Sequence, residues 1–76
     1  GIKFDKNPSG RGVIVSKIAP NSPAAVSGLE PGDIILSANR QGVDSVKQLE
    51  QAIGRSSDKI LLQINRDGGS FFLVLR

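Results

Sequence analysis

The spacing of apolar positions changes several times along the chain, and each change marks an element. Ile2 and Phe4 alternate with Lys3 and Asp5, the period of a strand with one buried face, so Gly1–Asp5 reads as a short strand. The run Lys6-Asn7-Pro8-Ser9-Gly10-Arg11-Gly12 reads as a loop. Val13 to Ala19 is rich in β-branched residues and reads as a second strand, ended by Pro20, which has no N–H for a ladder. Ser22 then caps a short helix with Pro23 at its first position, Ala24, Ala25 and Val26 within it, and Gly28 closing it in a left-handed conformation. Leu29 supplies the apolar contact after that cap. Glu30-Pro31-Gly32-Asp33 is a tight turn, and Ile34-Ile35-Leu36 an unbroken apolar run that predicts a buried strand with Leu36 in the core. Asn39-Arg40-Gln41-Gly42 reads as another turn.

A second helix begins at Ser45, which forms a capping box with Gln48, each side chain answering an orphan backbone N–H. Val46, Leu49 and Ile53 share one face at helical spacing, with Glu50 and Ala52 beside them, and Gly54 stops the helix. Ile60 to Asn65 and Phe71 to Leu75 are strands joined through Asp67-Gly68, a strong hairpin signal. Two helices cannot cover both faces of a flat sheet of this size. The expected architecture is α+β, mainly β: a small, partly open antiparallel barrel of five or six strands capped by two helices.

With 76 residues there is room for a single domain, residues 1–76. A chain this short buries about 60% of its unfolded surface. Cysteine and histidine are both absent, so neither disulfides nor Cys/His zinc sites reinforce it, and stability rests on aliphatic packing. The lack of cysteine suits an oxidising compartment. Nothing resembles a signal peptide or an apolar stretch long enough to span a membrane, so no membrane insertion is expected of this domain. Beginning in one strand-like run and ending in another, it reads as a fragment of a longer chain.

The net charge of +3 is spread over interleaved bases and acids, the pattern of an ordinary solvated surface. Lys3, Lys6, Arg11 and Lys17 are the one local excess of bases. Nucleic-acid binding would cluster them beside exposed aromatic residues.

Catalytic chemistry finds no support. Ser45 beside Asp44 lacks the histidine of a triad, and no motif joins a serine to Lys17 or Lys47. Asp5, Asp33 and Asp67 are too dispersed for a cation site. Gly10-Arg11-Gly12 and Gly68-Gly69-Ser70 lack the lysine and following helix of a phosphate loop. No cofactor is expected, and the chain itself is not expected to be an enzyme.

The segments Gly12-Val13-Ile14-Val15, Asn21-Ser22-Pro23-Ala24-Ala25 and Gly28-Leu29-Glu30-Pro31-Gly32-Asp33-Ile34-Ile35-Leu36 together closely resemble PDZ domains. Their spacing, and the ending Ile60–Arg66 followed by Phe71–Arg76, are similar to the second, C-terminal PDZ domain of Do-like (HtrA/Deg) periplasmic serine proteases.

That resemblance implies a peptide-binding module that accepts an added strand between an edge strand and a helix. The edge strand would be Gly1, Ile2, Lys3 and Phe4, and the helix Ser45–Ile53. Gly1 and Ile2 match the last two positions of the family's carboxylate-binding loop. Ile2 and Phe4 would line the pocket for the terminal side chain, closed by Leu49 and Ile53, with Glu50 on the same helix. Val46 stands where many members carry a polar residue, which implies an apolar ligand residue two places from the end. Implied partners are peptide C-termini, unfolded segments, and other PDZ or protease domains of a periplasmic oligomer in protein quality control. The parent's serine-protease domain would lie N-terminal. Plain core remains an alternative reading of Ile2, Phe4, Val46, Leu49 and Ile53. A PDZ domain of a secretion-system component or a membrane-embedded protease, and more distantly a nucleic-acid-binding barrel, stay open as readings of the whole.

Overall fold

Local signals build most of the molecule, and the ladder pairs mostly neighbours in sequence. The computed structural model describes residues 2–55 and 59–75. In chain order the elements are β1 (Ile2–Lys6), β2 (Val13–Ile18), α1 (Pro23–Ser27), β3 (Ile34–Ala38), β4 (Gln41–Gly42), α2 (Val46–Arg55), β5 (Ile60–Arg66) and β6 (Gly69–Leu75). Every pairing is antiparallel, in the order β1-β2-β3-β5-β6, with β4 attached to β3. The sheet is open, with β1 and β6 at its edges. Helix α1 packs on β6, and α2 packs against β1 and β3. This is the mainly-β, helix-capped arrangement that the apolar pattern predicts.

The core joins Val13 and Val15 of β2, Ile35 and Ala38 of β3, Leu49 of α2, Ile60, Leu62 and Ile64 of β5, and Leu73 and Leu75 of β6. Each fully buried large aliphatic contributes about 1.5–3 kcal/mol. On β5 the alternation is regular, with Ile60, Leu62 and Ile64 inward.

Two other strands break the two-residue period. On β3, Ile35 faces Ile64 and Ser37 faces Gln63, so Leu36 is an extra residue in a bulge. The bulge lets Ile35 and Ala38, three apart, both enter the core. Leu36, next to the inward Ile35, faces out by ordinary alternation, and the extra residue leaves Ser37 on that outer face as well. Leu36 is half-buried on the outer face, which corrects its expected place in the core. There it lies over the bare Cα of Gly12, where a Cβ would come within 2.7 Å of the Ile35 carbonyl oxygen. On β2, Lys17 faces Lys3 and Val15 faces Phe4, leaving Ser16 as the extra residue.

The short α1 is too small to persist alone. Ser22 Oγ accepts the Ala25 N–H, and Pro23 opens the first turn. At the other end Gly28 takes φ 101°. The Gly28 N–H donates to Ala25 O at 3.2 Å and the Leu29 N–H to Ala24 O at 3.1 Å, a double bond pattern that ends the helix and turns Leu29 into the core. The turn at Glu30–Asp33 closes with Asp33 N–H donating to Glu30 O, and Gly32 at φ 94° supplies the left-handed corner.

Three expectations need adjustment. Asn39 and Arg40, both at positive φ, make a two-residue hairpin turn, and Gln41–Gly42 is the strand β4 rather than part of the turn. In α2, Ser45 Oγ accepts the Gln48 N–H, but Gln48 Oε1 accepts from Asp44 N–H rather than from Ser45. The helix also runs through Gly54 to Arg55, a base placed well at a helix C-terminus.

The charge pattern hides one buried pair. Asp33 is 1% exposed, not part of a solvated surface. Arg66 meets it in a fork, Nε donating to Oδ1 at 2.7 Å and Nη2 to Oδ2 at 2.6 Å. Arg66 Nη2 also donates to Gly28 O, its Nη1 lies 3.3 Å from Glu30, and the guanidinium stacks 4.8 Å from the Phe71 ring centre. One side chain on β5 thus ties down the end of α1, the following turn and the start of β3. Burial pushes the Asp33 carboxyl up, but the Arg66 hydrogen bonds, the Glu30 N–H and the Arg66 charge outweigh it and hold it below the ordinary aspartate range.

Candidate functional site

The free side of β1 is where the backbone is open. β1 pairs with β2 on one side only, and no described strand takes the other. The bulge fixes which groups point outward. Ser16 Oγ donates to the Lys3 carbonyl at 3.1 Å, so the polar groups of Lys3 face β2. Alternation along the strand then directs the N–H and C=O of Ile2 and Phe4 to the free edge.

The side chains beside that edge are apolar. Ile2 and Phe4 are half-buried and packed on the core, as are Val46, Ala52 and Ile53 of α2. Val46, Leu49 and Ile53 form one stripe because they stand at positions i, i+3 and i+7 of the helix. Leu49 is wholly buried, so it acts as the seat on which that stripe rests. Lys3 and Glu50 are exposed. The structure therefore packs Ile2, Phe4, Val46 and Ile53 on the same core as Leu49, with α2 set against β1. It leaves Lys3 and Glu50 in solvent, and Gly1 lies outside the described residues.

A cleft of about 430 Å³ opens at the start of β1, lined by Ile2, Lys3, Lys17, Ile18, Ala19 and Pro20. The β2 side of this cleft was not singled out from the sequence. A signal existed: Val15 and Ile18 are three apart in a strand, a separation that period-two alternation forbids and a bulge permits. A larger cleft of about 550 Å³ lies on the outer face among Leu36, Gln63, Phe72, Arg11 and Arg40, away from the edge of β1. An open ladder flanked by apolar side chains can hydrogen-bond an extended chain whatever its sequence and sort it by alternate side chains.

Comparison with known proteins bears on the fold and the family. The model of the PDZ domain family matches residues 1–65. Over 76 residues the chain is 33% identical to the periplasmic serine endoprotease DegP of Salmonella typhimurium, covering 100% of this chain and 16% of that protein. Over 67 residues it is 33% identical to the periplasmic pH-dependent serine endoprotease DegQ of Escherichia coli, covering 88% of this chain and 15% of that protein. The chain thus spans about a sixth of the length of the curated relatives it matches. Among solved structures, the HtrA3 PDZ domain bound to a phage-derived ligand (FGRWV) superposes with a TM-score of 0.90 at 28% identity, covering 99% of this chain and 79% of that one. A single-substitution variant of the HtrA-type protease AlgW with a decapeptide superposes with a TM-score of 0.85 at 25% identity, covering 100% of this chain and 27% of that one. Sequence motifs, strand order and the family match across most of the chain agree, and this chain belongs to the PDZ domain family.

Proposed function

We propose that this domain binds extended peptides as an added strand on the free edge of β1, within a periplasmic serine endoprotease of the HtrA/Deg type. One observation carries the binding mode: the outward N–H and C=O groups of Ile2 and Phe4 stand beside the apolar stripe of α2. Ligand side chains on the inner face would meet Ile2, Phe4, Val46 and Ile53, which favours apolar residues there, including the one two places from a ligand's end. The relatives named as periplasmic serine endoproteases support the parent and its compartment. The two neighbours solved with peptides support the ligand class. Proteolysis belongs in this reading to another domain, and the module's task is to hold C-termini or unfolded segments near it.

In an NMR titration with a peptide carrying an apolar C-terminal residue, amide shifts are expected at Ile2–Phe4 and Val46–Ile53. Shifts centred on Arg40 and Arg66, or none at millimolar peptide, would count against the reading. Val46→Glu places a charge on the half-buried stripe. Loss of about one apolar side chain's burial predicts roughly tenfold weaker binding, with the fold intact by circular dichroism.

A second role, docking against another domain of the parent oligomer, is favoured by Phe72 and Val74, which are 62% and 46% exposed on β6. Phe72→Ser in the full-length protein should then alter assembly, read by sedimentation, while peptide affinity stays unchanged.

A further inference from the structure

The inner face of β1 accounts for apolar preference, but its outer face carries charge that this preference does not use. Lys3 and Asp5 both point outward, two residues apart, and both are exposed. Among the described residues neither has an ionic partner, since the ion pairs there are those of Arg66. Lys3 directly faces Lys17 on β2, an arrangement of like charges that is unfavourable when left alone. Asp5 faces Ile14, so nothing on β2 competes for its charge.

A strand added to β1 would place its own outward side chains directly opposite these two. We infer that Lys3, backed by Lys17, and Asp5 read the charge of a bound peptide and select the order basic, apolar, acidic, apolar from its N-terminal to its C-terminal side. This rests on the strand-addition reading above. The register follows from the ladder. Ile2 and Phe4 direct their polar groups to the free edge, so the ligand residues opposite them turn inward onto apolar surface. The residues opposite Lys3 and Asp5 turn outward. Every ladder in this sheet is antiparallel, and an antiparallel ligand meets Asp5 before Lys3. A basic residue therefore falls opposite Asp5, and an acidic one opposite Lys3. The second lysine makes the acidic position the stronger of the two, because a carboxylate there neutralises a repelling pair.

The test uses two synthetic peptides of the same composition, one ending Lys-Val-Glu-Val and the other Glu-Val-Lys-Val, titrated into this chain at low salt. The first is expected to bind roughly 3- to 10-fold more tightly, the range for two solvent-exposed charge pairs, and the gap should shrink as salt is added. In the double variant Lys3→Glu and Asp5→Lys the preference should reverse. Equal affinities, with shifts still at Ile2–Phe4, would overturn the charge reading and leave strand addition standing. A wild-type preference for the second peptide overturns the antiparallel order. A preference that survives the double variant overturns the charge reading itself. Absence of binding by either peptide removes strand addition and this inference with it.

Discussion

Asp33→Ala is expected to destabilise the domain by about 2–4 kcal/mol, because it leaves the Arg66 guanidinium without the carboxylate that it encloses. The figure sits at the lower part of the range for broken buried pairs because the Arg66 side chain keeps 30% exposure and can rehydrate. The Asp33 side chain, at 2%, cannot. Asp33→Asn should fall between wild type and alanine, since an amide keeps one acceptor but presents donors toward the guanidinium. The pH dependence has a defined sign. The folded carboxyl titrates below its unfolded value, so the unfolded chain binds the proton first. The contribution is complete above the ordinary aspartate range and is lost as pH falls through the folded value. Urea melts of wild type should thus lose stability on acidification more steeply than those of Asp33→Asn. Parallel acid curves for the two proteins would show that the fork contributes no pH-linked stability.

Ile35→Ala and Leu36→Ala are expected to differ sharply, although the two residues adjoin in one apolar run. Ile35 is 0% exposed, and its truncation should cost about 2–5 kcal/mol. Leu36, on the opposite face of the strand from Ile35 and half-buried over Gly12, should cost about 1 kcal/mol. Denaturation midpoints of the two variants measure the difference directly. Similar costs would mean that Leu36 is packed as tightly as the core.

These two cases show what a sequence makes legible and what it does not. The α1 caps at Ser22 and Gly28, the turn at Glu30–Asp33 and the hairpin at Asp67–Gly68 depend on residues within a few positions of one another. Their chemistry is visible in order along the chain, and the structure holds them as expected. The apolar stripe of α2 is legible for the same reason. The partnership of Asp33 with Arg66 spans 33 positions and has no local mark, so two charges that look solvated turn out to be the most confined among the described residues. The bulge at Leu36 reverses the facing of everything after it, which a count of apolar residues in Ile34-Ile35-Leu36 cannot foresee. β4 has two residues, too few for any period to appear. At the edge of β1, the residues of the site were readable as apolar and alternating. The direction of their backbone groups was not, because it depends on the Ser16 hydroxyl reaching across to Lys3.

The position of α2 beside β1 has a further consequence for life at high concentration. Lys3-Phe4-Asp5 is itself basic, apolar and acidic in that order, so the exposed backbone of one molecule matches the leading strand of its twin. Unguarded, such self-matching margins nucleate aggregates. A twin, however, arrives with β2 attached, and the neighbouring helix is expected to obstruct that extra width while admitting a lone flexible tail. The same helix would thus act as a size filter, keeping crowded copies soluble without closing the door to guests.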